Sequence, residues 1–559
     1  MGLVEELLGS ASPERLLEIA SMLSRLHRVQ GSEGLVEAAK RLAERLEEEG
    51  LEARLEVRVG ALGLWGRWFF SEPRGWRLGR VVVEARGRLG WRVVDTSSSG
   101  PMVAVAHTPP GSAEGLARLC RDCSTWSGGS VPVVSRPRSA EYWCCTGRGA
   151  SALIYTHDGP GYRYYSIYPP PFLHEPRAPA ASLRWRDAVK LDGTMVRVSV
   201  EAEYTDPRTP VLRVRVGGWG DPAVLLVAHV CHPRPGAHDN ASGVAVAVEA
   251  IRLLAARERE LREKGVAVEA LIVPEYTGSA YALDEASPSP GSLLAAVSLD
   301  MVGADLAKTG GSLLLVQSLY TLPSPLDPLL YRYVYEALST ATGFWGEGGY
   351  PEEGFHLQPY GSGSDHDIAL SHGVPASMLN EWPDKYYHTS MDSPSNLSGE
   401  RMARIAAGVA AAVLRLPGSL DSYRSLLQRW VRLVASEAWA GRLGRARPDT
   451  VADAMKRGVE AVLGRTAGVM GWSWSGGGGW EEDLAPRRRG PVTRLYAVLS
   501  GDEELLSLLD DESSTHYRDT AAIAASATRS TRAVEAELLA HGVKPEAEKL
   551  ALIYTRLSG

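Results

Sequence analysis

The 559-residue sequence predicts an α/β fold: a three-layer α/β/α sandwich around a mixed, mostly parallel sheet, with an inserted β-rich domain and a C-terminal helical region. Three observations carry this expectation. Between residues 211 and 415, short apolar runs that read as buried strands alternate with helical stretches, as in a sheet covered by helices on both faces. From 75 to 205 the chain changes to short β-like pieces separated by Pro and Gly. Beyond 420 it is mainly helical, apart from the glycine-rich segment GWSWSGGGGWEEDLAPRRRGP. The resulting division is a first domain built from 1–74 and 206–417, an inserted domain at 75–205, and a helical region at 418–559.

The elements follow in chain order. SPERLLEIASMLSRLH and GLVEAAKRLAERLEEEG have the apolar period of two amphipathic helices, interrupted at Gln30 and Gly31. LEARLEVRVG then alternates like a strand. The insert contributes RVVVEA, WRVVD, MVAVAH, VPVVS, ALIYTHD and VRVSVEAEY. The central domain follows as VLRVRVGG, AVLLVAHV, a helix over 243–264, AVEALIVPE, LLAAVSLDMV, LLLVQ, a helix over 325–341, PASMLN and a helix over 399–415. The three arginines at 487–489 read as the solvated end of a linker.

Composition bounds the function classes. At 44% hydrophobic residues the chain can bury several cores, and a net charge of -7 gives no global attraction to nucleic acid or to an anionic membrane. No basic stretch followed by an apolar segment opens the sequence, and no apolar run reaches about 18 residues. A soluble cytoplasmic protein is therefore expected, with no nucleic-acid or membrane partner; homo-oligomerisation stays open. Cys120, Cys123, Cys144 and Cys145 cluster, but the adjacent pair has poor spacing for one tetrahedral zinc, so a disulfide or ordinary thiols are the simpler readings. Only eight lysines, four glutamines and three asparagines occur, a pattern produced equally by heat adaptation and by GC-rich coding. All three asparagines, Asn240, Asn380 and Asn396, fall in segments that also carry candidate site residues.

Those segments carry the chemistry. Three apolar runs end on a residue able to bind a metal: LLVAH at His229, LIVPE at Glu275 and VSLD at Asp300. The segment DKYYHTSMDSP adds His388. Directly after the first run, HVCHPRPGAHDNASG adds His232 and Asp239 ahead of a helix. In α/β sheets ligands collect beyond the carboxyl ends of parallel strands, so these side chains are expected to converge. Each has a plainer reading alone: Asp239 as a helix cap, Asp300 in a buried ion pair, His388 as a surface histidine. Together they form a hydrolytic metal-site composition. GSGSDHD at 361–367 is no nucleophile elbow, since Tyr360 stands where glycine is required if Ser362 were the nucleophile.

The order and wording of these motifs resemble the co-catalytic zinc exopeptidase family that includes bacterial leucine aminopeptidase, aminopeptidase Y, glutamate carboxypeptidase II and the glutaminyl cyclases. The resemblance rests on His229, GAHDNASG (236–243), PEYTGS (274–279), LDMVG (299–303), GVPA (373–376) and YHTSMD (387–392). It spans about residues 13 to 415, and 75–205 resembles a protease-associated insertion. It implies that Asp239 bridges two ions, with His229 and Asp300 completing one site and Glu275 and His388 the other. The cofactor it implies is zinc, as one or two ions, with cobalt or manganese as substitutes.

Two departures matter. The family's Glu-Glu pair is here Pro274-Glu275. Either Glu275 is the base and the second metal is weakly held, or Glu275 is a ligand and Glu381 or Asp365 serves as base. The motif after His229 reads Val-Cys-His-Pro, similar to a divergent aminopeptidase-like subgroup, which makes His232 an alternative ligand to His229. The function implied is a metal-dependent exopeptidase, an aminopeptidase acting on peptides whose free amine is held by an acid such as Glu381 or Asp365. The alternatives are another amide-directed enzyme, of carboxypeptidase or glutaminyl cyclase type, and a binding protein that has lost catalysis.

Overall fold

In the computed structural model, which describes residues 2–137, 140–285, 289–339, 341–342, 348–350, 354–477, 479–510 and 515–558, the centre of the molecule is an eight-stranded mixed sheet. Its strands lie in the order Ala53–Val59, Arg208–Val216, Ala267–Val273, Ala223–His229, Leu293–Leu299, Ala376–Trp382, Ser312–Val316, Phe355–Gln358. Ala223–His229 runs parallel to both neighbours, and Leu293–Leu299 is parallel to Ala376–Trp382. The first two strands pair antiparallel, as do Ser312–Val316 and Ala376–Trp382. The three central strands are buried at every residue, which explains why their sequences are mostly apolar rather than alternating; the acidic exception, Glu269, pairs with Arg215 at 2.9 Å.

Helices cover both faces. Gly243–Ala255 lies across the central strands and is itself covered by Gly399–Leu414, whose Gly408 lets a third helix, Asp327–Leu338, approach closely: a Cβ there would meet Val334 Cα at 2.7 Å. The helix expected over 325–341 is Asp327–Leu338; residue 340 lies outside the described residues. The helical stretch 243–264 divides into Gly243–Ala255 and Glu258–Lys264. Near the start, Pro13–Ser24 is capped by Ser12, whose side chain accepts from the Arg15 amide.

Residues Gly75–Thr205 form a second sheet of seven strands, in the order Gly90–Thr96, Gly75–Gly87, Met195–Thr205, Gly111–Cys120, Val131–Val134, Leu153–Tyr155, Ala180–Ser182. One local expectation is corrected, and one strand is added. MVAVAH is no strand: a 3-10 turn at Pro101–Val103 leads into two isolated bridges, Ala104 to Ala181 and Ala106 to Ser166. GSAEGLARLC is a strand, although its Gly, Ala and Arg residues carry little β-propensity; pairing on both sides overrides composition. Cys123 and Cys144 form a disulfide, while Cys120, Cys145 and Cys231 are buried free thiols.

From Leu420 to Ser558 the regular elements are all helices among the described residues, and their apolar faces join the same core as the central sheet. Glu537 docks this region by accepting from the backbone amides of Tyr320 and Thr321. The linker arginines are not simply solvated: Arg489 reaches Asp284 at 3.3 Å and its backbone amide donates to Arg67 O. No helix of the described residues is long and apolar enough to cross a membrane.

Candidate metal centre

The carboxyl ends of the parallel strands converge on one buried pocket. Ala223–His229 delivers His229 at its last residue, Leu293–Leu299 delivers Asp300 one residue beyond its end, and the loop from Gly236 to Ser242 returns Asp239 to the same place. The two carboxylate oxygens of Asp239 face different partners. Oδ1 lies 3.4 Å from His229 Nε2, which is also 3.3 Å from Asp300 Oδ1. Oδ2 lies 3.4 Å from His232 Nε2 and 3.2 Å from His388 Nε2. Two triads therefore share one aspartate: His229, Asp239 and Asp300 on one side, His232, Asp239 and His388 on the other. Within each, the ligand atoms all lie within 4.8 Å of one another.

The donors fit divalent cations better than they fit each other. His232 Nε2 and Asp300 Oδ1 are buried and make no aligned hydrogen bond, although they face polar atoms. Burying such groups unpaired is costly, and a cation placed between them removes the cost. Imidazole nitrogens with carboxylate oxygens are the donor set of zinc and similar divalent ions. The protonation balance reports the same demand for positive charge. Burial works against a charged His229, but Asp300 and Glu275 outweigh it and hold its pKa well above the usual range. For Asp239, burial is likewise overcome, by His232 and His388, and its pKa falls well below that of an ordinary carboxyl. Burial pulls His388 downward.

Glu275 belongs to neither triad. Its carboxyl is pushed well above the usual range by burial, with repulsion from Asp300, Asp365 and Asp239 adding to it against the pull of His229. Its backbone is fixed on both sides: its N–H donates to Cys231 Sγ at 3.2 Å, and its carbonyl accepts from Gln30 Nε2 at 3.1 Å. Asp365 acts on the next residue, accepting from the Tyr276 amide at 2.8 Å and from Ser279 Oγ at 2.5 Å. Glu381 is occupied elsewhere: it pairs with Arg401 Nε at 2.5 Å and His238 Nε2 at 3.1 Å, and accepts from the Ala304 amide. Of the eight sequence candidates, five thus share the two triads. Glu275 stands beside them, Asp365 holds the turn behind Glu275, and Glu381 sits in a buried ion pair.

Side chains without metal-site character build the loops. Asp392 accepts from the backbone amides of His238 and Asp239. His238 bridges Asp384 and Glu381, and those carboxylates overcome burial to raise its pKa to about 10, so it is an imidazolium. Asn240 donates to Leu299 O and accepts from the Gly243 and Met301 amides, tying the Asp239 loop to the Asp300 strand. That approach leaves no room at Gly243, where a Cβ would meet both Asn240 Oδ1 and Leu299 O at 2.2 Å. Asn380 donates to Asp300 O and Asn396 to Met391 O, so all three asparagines serve loops of the centre. Tyr276, Met301 and His388 each have φ near +57°, a left-handed backbone rarely adopted by non-glycine residues and concentrated at functional sites.

A sequence model of peptidase family M28 matches residues 212–413. Those residues form an M28 peptidase domain. The match spans the strands that deliver His229, Glu275 and Asp300 as well as the turn that carries His388, and with these donor sets the domain is a metal-dependent peptidase. Solved structures agree in fold. A zinc aminopeptidase from Bacillus subtilis aligns with a TM-score of 0.51 at 16% identity, covering 72% of this chain and 94% of that one. A peptidase M28 precursor from Shewanella amazonensis aligns with a TM-score of 0.50 at 16% identity, covering 74% and 95%. No curated protein sequence matches the chain.

Proposed function

We propose that this protein is a zinc-dependent aminopeptidase that removes N-terminal residues from peptides. The observation that carries the reading is Asp239, whose two oxygens each face a separate histidine-containing donor set. In this reading His229, Asp239 and Asp300 hold one ion and His232, Asp239 and His388 hold the second. His232 thus takes the ligand place that the resemblance assigns to Glu275, which leaves Glu275 to fill the role of the missing first glutamate of the pair. Bound zinc would supply Lewis acidity toward a scissile carbonyl and lower the pKa of water in the pocket.

The chain's own groups do the rest. Glu275, freed from ligand duty, is the general base: its carboxylate takes a proton from the attacking water and returns it to the leaving nitrogen. Gln30, Cys231 and Asp365 hold the backbone of this residue and its neighbour, so the carboxylate is presented from a fixed turn. Glu381 is engaged by Arg401 and His238, which supports a positioning role behind Asp239 rather than contact with a substrate amine. The structural likeness to the Bacillus subtilis zinc aminopeptidase supports the choice of aminopeptidase among amide-directed reactions.

Metal analysis of purified protein combined with hydrolysis of a panel of aminoacyl-arylamides tests the proposal. Two bound zinc or cobalt ions with turnover are expected, and Asp239→Asn should abolish both the pair of ions and the activity while the protein remains folded. Activity unchanged in that variant, or turnover only on substrates blocked at the amino end, overturns it.

A further inference from the structure

The inserted sheet domain reaches the turn that carries His388 through the segment 162–164. Tyr164 N donates to His388 O at 2.7 Å, Ser390 N donates to Tyr162 O at 2.8 Å, and Tyr162 N donates to Ser390 Oγ at 3.1 Å. This short antiparallel clamp, with Arg163 bridged to Thr389, ties the insert to the turn that carries His388. It also sets the Tyr164 ring edge-on against two candidate ligands at once, with its centroid 5.1 Å from His232 and 5.2 Å from His388. The two imidazoles are themselves 5.4 Å apart, so the three rings form one contact group.

The orientation of these histidines needs an explanation. Metal-binding histidines are ordinarily fixed by a hydrogen bond from their second ring nitrogen. His232 has one, Nδ1 to Pro233 O at 2.8 Å. For His388 no hydrogen bond to Nδ1 is found among the described residues; its ring is held by stacking on Tyr387 at 3.8 Å and by the edge contact with Tyr164. Tyr164 is in turn fixed at its far end, where its hydroxyl lies 3.2 Å from that of Tyr168. Tyr168 packs on His107, which contacts Gln30 O through Nε2 at 2.9 Å.

We propose that Tyr164 is a positioning residue that orients His232 and His388 toward Asp239, so that the inserted domain completes the second of the two ion sites. The proposal rests on the two-ion reading above. For His388 aromatic packing takes the part that the Pro233 carbonyl plays for His232, and it acts on one triad only, because among the described residues His229 and Asp300 make no ring contact with Tyr164.

Titration with Zn2+ against a chromophoric chelator, and with Co2+ followed by visible absorption, reads the two sites without turnover. Wild type is expected to bind two ions, and Tyr164→Phe, which keeps the ring, should match it. Tyr164→Ala should retain one tight ion and hold the second about 10- to 100-fold more weakly, as expected for loss of a ligand-orienting partner; His388→Ala marks complete loss of the same site. Circular dichroism establishes that the variants are folded, and Tyr164→Leu, which fills the space without a ring, decides the matter if the alanine variant is not. Two ions bound as in wild type by the folded alanine or leucine variant overturn this proposal alone. Wild-type protein that binds no second ion overturns the functional reading and this inference with it.

Discussion

Asp392 holds Asp239 through the main chain: its two oxygens accept the backbone amides of His238 at 2.7 Å and Asp239 at 3.0 Å. The residue that offers an oxygen to each triad is therefore fixed by a second acid 153 positions later, in the same turn as His388. Asp392→Ala removes both acceptors and leaves two buried amides without partners, while every donor atom of the triads stays in the chain. The expected result is a loss of zinc affinity of roughly 10- to 100-fold with a parallel fall in turnover, measured by chelator competition and by arylamide hydrolysis. Asp392→Asn keeps one acceptor and should fall between wild type and alanine. Wild-type affinity in the alanine variant would show that Asp239 is positioned by other contacts.

The separation of Glu275 from both triads leads to a divided prediction. Glu275→Gln should lower kcat by roughly 100- to 10,000-fold, the usual contribution of a general base, and still bind two ions. His232→Ala should instead lose one ion. The reverse pattern, with an ion lost in Glu275→Gln and two retained in His232→Ala, would return Glu275 to the ligand set.

How much of this was legible in the sequence depends on what each element rests on. The buried parallel strands announced themselves because a strand covered on both faces is mostly apolar, and these runs led to His229 at one strand end, Asp300 one residue beyond another and Glu275 two residues beyond a third. The edge strand Phe355–Gln358 and the strand Gly111–Cys120 did not, since pairing rather than side-chain type makes them strands. Within the centre, the scarcity of asparagine pointed to Asn240, Asn380 and Asn396, and each proves to bond backbone near a donor. Which imidazole joins which carboxylate was beyond reach, because His229 and His232 are three residues apart and only the fold after the strand end sends them to opposite oxygens of Asp239. Gln30 read as a helix break, and Tyr164 lay in a domain with no motif. Both reach the site through tertiary contacts that leave no local pattern.

The disulfide should matter locally. Cys123 and Cys144 are 21 positions apart, and closing a loop of that size stabilises by about 3 kcal/mol in the chain-entropy description. Cys144→Ser is expected to lower the melting temperature of the inserted sheet and to increase amide exchange at Val131–Val134 and Leu153–Tyr155, while the central sheet stays protected. Hydrogen exchange read by mass spectrometry distinguishes this from global loss of stability.

A pH effect on stability follows from Asp327, which belongs to neither triad. Its Oδ2 accepts from the Ser318 amide at 3.1 Å, and burial, only partly offset by hydrogen bonds from Ser377, Ser318 and Ser324, raises its carboxyl pKa to about 7. In the unfolded chain the same group titrates near 3.9. Between these values the native state keeps a proton that the unfolded state has released, so rising pH favours unfolding across roughly pH 4 to 7; above that window both states are ionised and the loss is complete. Asp327→Asn retains an acceptor for Ser318 and cannot ionise. Its melting temperature relative to wild type should therefore climb as pH is raised from 5 to 8. A constant difference between the two proteins over that range would mean that Asp327 is ionised in the folded state throughout.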